Sequence, residues 1–462
     1  MNKFIEAMRT KDALTANGAV TNSTSLNNCL DLFFLAGACR NESPENIEAK
    51  LTAAYVEDRV KTLKIIFWAG DIRQGAGERR FFKIALNWLN ENHQDDLHKH
   101  LLHVPEFSRW DVLFELATTN DNILNFICLN IQNDGLLCKW LPRKKQYNNL
   151  AQKIQKHLGW TPKQYRKIIV ERTKVVEQQM CAKKWDEIEY EHVPSVAINK
   201  YRQAWYRNDK DRFEKYVEAV KSGEKKINAG AIFPHDIIKD AANNWGISLL
   251  PSQIAQWNSL PNYLEGKANS IIPVCDVSGS MGGLPMAISI ALGLYISERN
   301  EGAFKDAFIT FSSRPTMEYL QGDINERLKQ LRRANWSMNT DFIAVFKLIL
   351  SKAVTNNLSQ DDLPETILAI SDMEFDSATY DSDTNFENIK HLYEKHGYTM
   401  PKIVFWNVNG RAGNVPVTMR DENVALISGA SPSIIKSVLT NEISPITIMN
   451  KTIESDRYAF IN

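Results

Sequence analysis

The stretch Ile271-Ile-Pro-Val-Cys-Asp-Val-Ser-Gly-Ser-Met-Gly282 decides how the chain is read. An apolar run leads into Asp276, Ser278 and Ser280 follow at alternate positions, and Gly282 and Gly283 let the backbone turn sharply. The pattern predicts a buried strand running into a loop of hard oxygen donors. A helix is predicted just beyond. Pro285 suits a first helical position, where its missing N–H is not needed, and residues 286–298 are mostly apolar with Gly293 as the one breaker. Strand, oxygen-rich loop and helix in that order put the loop at the carboxyl end of a parallel strand, where open α/β sheets bind ligands.

Mg2+ prefers near-octahedral oxygen ligands and keeps several waters, so short hydroxyls and carboxylates on a tight loop suit it better than an all-protein cage. Alone, Asp-x-Ser-x-Ser also fits a strand end capped by a turn of small polar residues. Two further stretches bear on the choice. Asn339-Thr340-Asp341 precedes an amphipathic run over 342–354, and residues 365–371 form a buried-strand run ending in Asp372. With all three segments in this order, the C-terminal half resembles a von Willebrand factor A domain with its metal ion-dependent adhesion site. The resemblance implies that Asp276, Ser278, Ser280, Thr340 and Asp372 hold Mg2+ or another divalent cation, with one coordination position open. Further strands are predicted at 306–311, 366–371, 402–408 and 424–428, with helices at 340–354, 385–396 and 431–439. Such alternation implies a parallel, doubly wound sheet covered on both faces. The acids within 373–383 are expected to form an acidic rim around the cation.

A chain of 462 residues has room for two or three domains without covalent staples. Its 55 basic and 55 acidic residues balance, so attraction to nucleic acid must come from local clusters. Its six cysteines form no C-x-x-C pair and read as small core residues of a reducing compartment. No apolar leader and no uncharged apolar run of about 18 residues is present. The expectation is a soluble, cytoplasmic monomer with no membrane partner.

Four parts are expected: a flexible leader over 1–25, a helical domain over 26–245, a linker over 246–267 and the α/β domain over 268–462. Apolar residues in the helical part recur at helical spacing, as in Leu30, Phe33 and Phe34, then Val60, Leu63 and Phe67, then Phe81, Ile84, Ala85 and Trp88. Short polar connections between them suggest stacked helix pairs, a HEAT-like solenoid. Between two of these helices, Gly75 and Gly77 flanked by Arg73, Arg79 and Arg80 fit either a phosphate cradle or an ordinary helix–helix turn. Residues 139–174 carry eleven basic residues, among them Lys139, Arg143, Lys144, Lys145, Lys153, Lys156, Lys163, Arg166 and Lys167, against the single acid Glu171. Trp140, Tyr147, Trp160 and Tyr165 are interleaved. This is either a single-stranded nucleic-acid surface or a solvated helical face with its aromatics packed inward.

Helices first and the adhesion-site domain last, the chain resembles the Ro (TROVE) group of RNA-binding ring proteins, and more nearly a two-domain branch of cellular and viral proteins related to them. The matching residues are Asp71-Ile-Arg-Gln-Gly-Ala-Gly-Glu-Arg79, Ser108-Arg-Trp-Asp111, Val274-Cys-Asp-Val-Ser-Gly-Ser-Met281, Met338-Asn-Thr340, Ser371-Asp-Met-Glu-Phe-Asp376 and Phe405-Trp-Asn407. The region 139–244 departs from the Ro pattern. The resemblance implies a ring of helical repeats closed by the A domain, with Arg73, Arg79, Arg80 and the 139–174 patch as candidate RNA contacts. The leading expectation is therefore a non-catalytic protein binding single-stranded or small structured RNA. The alternative is a protein-interaction module in which a partner's acidic side chain completes the cation's coordination. An enzyme is not expected, since Ser278 and Ser280 have no base at nucleophile spacing, and no catalytic residue is assigned.

Overall fold

The structure is a computed structural model that describes residues 11–143, 148–227, 229, 232–244, 247–265, 270–311, 314–333, 340–376, 384–439 and 443–462. Near the N-terminus β1 (Ala13–Leu14) and β2 (Val20–Thr21) form a short antiparallel hairpin. Six further strands, β3 (Ile271–Cys275), β4 (Ala307–Thr310), β5 (Met317–Tyr319), β6 (Thr366–Ser371), β7 (Lys402–Asn407) and β8 (Val424–Ser428), make one sheet in the order β5-β4-β3-β6-β7-β8. All pairings are parallel except β4 with β5 at one edge.

Strand β3 is buried at every position, as a strand with both faces covered must be. Its Pro273 would weaken a central strand by removing a ladder donor. Asp276 N–H points to β6, donating to Ile370 O at 2.9 Å, so strand alternation aims position 273 at β4, whose pairing begins only at Val274. The proline costs the sheet no bond there. The helix Leu284–Arg299 lies directly on β3 and β4. A Cβ at Gly293 would come within 2.3 Å of Cys275 Sγ and 2.6 Å of the Phe308 ring, so this glycine permits close approach and breaks nothing. The predicted strands and the helices at 286–298, 340–354 and 385–396 all form. The sequence pattern does not reveal the edge strand β5, the helix Ile324–Arg333 or the last helix, Pro445–Ile453.

The N-terminal half is helical apart from its hairpin. Helices Asn28–Ala36, Pro44–Glu57, Arg59–Gly70 and Arg79–Asn92 pack each on its neighbours, the stacked pairing the sequence predicts. Asn27, Ser43 and Asp58 cap the first three, each side chain accepting a first-turn N–H. Leu30, Phe33, Leu63, Phe67, Phe81 and Ala85 are all buried. A second, smaller core gathers around Trp205, with Tyr190, Phe213 and Tyr216.

Both ends of the helical half attach to the α/β half. The first helix packs on β8, where Gly37 N–H donates to Ser428 Oγ at 3.0 Å. The late helix Pro234–Asn243 packs along Leu284–Arg299. Residues 246–267 are not a slack linker where described: they contain helix Pro251–Asn258, whose Trp257 is fully buried and donates to Glu298 at 2.7 Å. The second half of the supposed leader is docked too. Thr15, Thr21, Asn22 and Ser25 are buried, and Asn22 and Val415 exchange backbone bonds at 3.1 and 2.9 Å.

The C-terminus closes the molecule. Arg457 Nε lies 2.8 Å from Asp71 Oδ2, Tyr458 OH lies 3.2 Å from the same oxygen, and Phe460 packs among Phe67, His103 and Phe107. Asp71 is fully buried. Breaking a buried pair leaves an uncompensated charge, so Arg457→Ala is expected to destabilise the fold by about 3 kcal/mol. Urea unfolding followed by tryptophan fluorescence checks this; a midpoint unchanged from wild type would remove Arg457 from that role.

Candidate metal centre and basic face

The five residues expected to hold a cation come from three places in the chain, and the sheet brings them to one end. The chain leaves β3 toward β4 on one side and later enters β6 on the other, so the connection reverses beside β3. That is the topological point where open α/β sheets hold ligands. Asp276 follows β3 and Asp372 follows β6, and these strands are neighbours in register from Ile271↔Thr366 to Cys275↔Ile370. Asp276 is fully buried; Oδ1 accepts from Ser278 N–H at 2.8 Å and Oδ2 from Ser371 Oγ at 2.6 Å. Ser278 and Ser280 hydroxyls bond each other at 3.0 Å, and Ser280 is exposed. Asp372 Oδ1 accepts from Glu374 N–H at 3.2 Å, while its Oδ2, also buried, has no partner. Thr340 is buried, its N–H donating to Asp376 Oδ2 at 2.9 Å.

Two buried carboxylates at one strand end disfavour each other's charge. Burial, and then the charge of Asp372, push Asp276 up to about 6 against the bonds from Ser371 and Ser278. Burial also raises Asp372, opposed by the Ser280 hydroxyl and the Glu374 amide. Every donor here is an oxygen, Asp372 Oδ2 is left without a hydrogen-bond partner while Arg411 acts on this carboxylate through charge alone, and exposed Ser280 gives access. That set fits a hard divalent cation such as Mg2+. Among the described residues no group of three or more His, Cys, Asp or Glu is placed to hold an ion, so ligation would rest on two carboxylates and three hydroxyls.

The acidic rim is corrected where it is described. Glu374 is buried and taken up by Ala16 N–H, Asn414 Nδ2 and Arg411, and Asp376 holds Thr340; residues 377–383 lie outside the described residues. Sequence reasoning also missed Ser371, Asp376 and Asn17 as supports of the site. Asn17 had a signal: Asn-Gly at 17–18, flanked by Leu14 and Val20, is a hairpin turn sequence.

Of the candidate RNA contacts, Lys144 and Lys145 lie outside the described residues. Arg73 donates to Glu106 O, and Arg80 to Cys39 O and Glu42 O at 3.0 and 2.7 Å; only Arg79 of this loop is exposed with no such tie shown. The loop is a junction. A Cβ on Gly75 would lie 1.9 Å from Trp68 O, and Gly77, at φ +67°, packs against Phe233. Further along, Lys153, Lys156, Lys163, Arg166 and Lys167 are exposed on helices Asn148–Leu158 and Pro162–Arg172. Lys139 pairs with Glu177 at 3.1 Å, Arg143 donates to Thr173, Lys153 to Thr118 O, and Lys167 pairs with Glu171 at 3.7 Å. The described aromatics turn inward. Tyr165 is buried and donates to Pro142 O at 3.1 Å, Trp160 packs on the core, and Arg109 lies 3.4 Å over the Trp140 ring. A cleft of about 170 Å³ opens between the two helices, lined by Arg143, Gln155, Tyr165 and Arg166.

The chain's relatives follow the same division into two halves. Residues 15–105 and 121–269 match the family described as domain of unknown function (DUF2828). Because that match spans just over half of the chain, the protein belongs to this family. Residues 270–457, beginning one residue before β3, match a second domain of unknown function (DUF7788). The chain is also 26% identical over 502 residues to Uncharacterized protein L728 of Acanthamoeba polyphaga mimivirus, an alignment covering 96% of this chain and 87% of that protein. Among the described residues no helix is long and apolar enough to cross a membrane.

The raised Asp276 gives the site a pH signature. Between the ordinary carboxylate value near 4 and about 6, the folded chain keeps a proton that the unfolded chain has released. Cation-free stability therefore falls as pH rises through that window, on the order of 2–3 kcal/mol from this group. A bound cation neutralises the charge, and protons compete with it below the window. The Tm gain from Mg2+ should thus widen from about pH 5 to about pH 7, as differential scanning calorimetry would record. A gain independent of pH would argue against Asp276 as a ligand.

Proposed function

We propose that this is a non-catalytic, Ro-like RNA-binding protein in which a von Willebrand factor A-like domain carrying Mg2+ closes a ring of helical repeats. The observation that carries the reading is the exposed basic face of helices Asn148–Leu158 and Pro162–Arg172, which carries Lys153, Lys156, Lys163 and Arg166, with Arg166 and Arg143 lining the cleft between the helices. In a chain of zero formal net charge this local excess is the feature that would draw a polyanion. With the described aromatics turned inward, binding is led by phosphates and not by base stacking, so weak sequence preference is expected. The mutual bond of the Ser278 and Ser280 hydroxyls suits a pair of ligands more than an activated nucleophile, which supports a binding role over catalysis. RNA affinity should fall steeply with salt. Changing Lys153, Lys156, Lys163 and Arg166 to Ala should weaken binding about tenfold or more and flatten the log–log salt slope by about 0.7 for each phosphate no longer neutralised. Fluorescence anisotropy with single-stranded RNA over a salt series measures both, and a variant that binds like wild type would sink the reading.

A second reading is favoured by the orphaned Asp372 Oδ2 beside exposed Ser280: a cation held there could take an acidic side chain of a protein partner. In that case Asp276→Ala, or chelation, would abolish capture of the partner while RNA affinity survives. A partner retained without metal in a pull-down would dismiss this second role.

A further inference from the structure

The turn of the N-terminal hairpin reaches the cation site from the far end of the sequence. Thr15 N–H donates to Ala19 O at 2.9 Å, Gly18 N–H to Thr15 O at 3.0 Å, and Gly18 takes φ +86°, which presents Ala16 and Asn17 at the tip. The tip clasps the segment just after Asp372. Thr15 Oγ1 donates to Phe375 O at 2.7 Å, Ala16 N–H to the Glu374 carboxylate, Asn17 Nδ2 to Glu374 O at 2.7 Å, and Gly18 bridges Asp376. The same Asn17 Nδ2 lies 3.4 Å from Thr340 Oγ1. Because Nδ2 faces a carbonyl, which can only accept, the amide's orientation is settled and its N–H side meets the threonine. Asp376 completes the connection: besides accepting Thr340 N–H, it donates its own N–H to Thr340 O at 3.1 Å. The hydroxyl of Thr340 and the unpartnered Asp372 Oδ2 are thus both carried by segments that the hairpin holds.

We propose that the hairpin is a fourth segment of the divalent-cation site, with Asn17 as the positioning residue that orients the Thr340 hydroxyl. The inference rests on the cation reading of the site, and it can fail while that reading stands. A hydroxyl oxygen has two lone pairs; Asn17 takes one and leaves the other for the ion. Cation binding and hairpin docking then strengthen each other by the same factor, as linkage requires.

The test titrates the full chain with Mn2+, followed by electron paramagnetic resonance, in wild type, Asn17→Ala and Asp12→Ala. Asp12 is a control on the same segment, with its bonds directed to Ser23 at 3.0 and 2.7 Å. Loss of an outer-shell partner weakens metal binding by about 10–100-fold, so Asn17→Ala should bind Mn2+ at least about tenfold more weakly while Asp12→Ala stays within about twofold. Hydrogen exchange across residues 12–22 should slow on adding Mn2+ to wild type, and slow less in Asn17→Ala. Wild-type affinity in Asn17→Ala would overturn the hairpin's role and leave the cation site intact. Equal weakening in both variants would overturn the assignment to Asn17, and no Mn2+ binding by wild type would overturn hairpin and site together.

Discussion

The register of β3 against β6 is the constraint on which the rest of the α/β half depends. With Cys275 opposite Ile370, the next residues along the two strands are Asp276 and Ser371, and Asp372 follows at once. Two carboxylates therefore leave the sheet together, in an interior that has removed their water. The surrounding bonds manage that crowding. Ser371 donates to Asp276, and Met373 turns back at φ +67° so that its N–H meets Ser371 Oγ at 3.0 Å and the Glu374 N–H meets Asp372. A left-handed, bulky residue costs of order 1–3 kcal/mol and persists where its surroundings fix it. Here it marks the strand end at which one buried oxygen still lacks a partner.

A second buried carboxylate, Asp71, does for the whole chain what Asp276 does for the sheet. It ends the helix Arg59–Gly70, and its own loop supplies only one of its bonds, from Arg73 N–H at 3.0 Å; the guanidinium of Arg457 comes from the opposite end of the sequence. Ala76 of the same loop touches Gly429 just past β8, and Gly77 packs on Phe233. One loop thus meets the C-terminal tail, the end of the sheet and the late helices. Its glycines and arginines answer to backbone proximity and carbonyl capping, which explains why they resemble a phosphate cradle in sequence and are spent on the fold in space.

How far the sequence could be read follows from what each signal depends on. Long apolar strands such as 366–371 and the amphipathic helices were legible because burial on both faces, or on one stripe, writes itself into local composition. The oxygen-rich loop after β3 was legible because a buried strand running into small polar residues and glycines at fixed spacing is written in the local sequence. The edge strand β5, with its half-buried and exposed positions, carries no such signature. Docking of residues 12–25 was hidden for a related reason. Many of their hydrogen bonds, such as those of Thr15 and Thr21, go to residues over 300 positions away, so a polar run that looks unsatisfied in sequence is satisfied in large part by tertiary structure. The aromatics of the basic stretch could not be placed either: Tyr165 and Trp160 sit where an exposed stacking platform and a packed helical face look alike until the neighbouring helix is present.

The inward turn of those aromatics gives the basic helical face a character unlike that of the strand end. Were a nucleic acid to meet a face of lysine and arginine without exposed rings, phosphate contacts would give affinity and little discrimination among bases. The strand end differs in kind: a small number of oxygens in fixed positions beside exposed Ser280, an arrangement that would select by geometry more than by long-range attraction. A polyanion approaching the helices meets cations there, while the buried acids of the sheet are shielded within the fold. A coupling between the two would travel through the hydrogen-bonded contacts that fasten the helical half to the sheet, such as Gly37 N–H to Ser428 Oγ and Trp257 to Glu298.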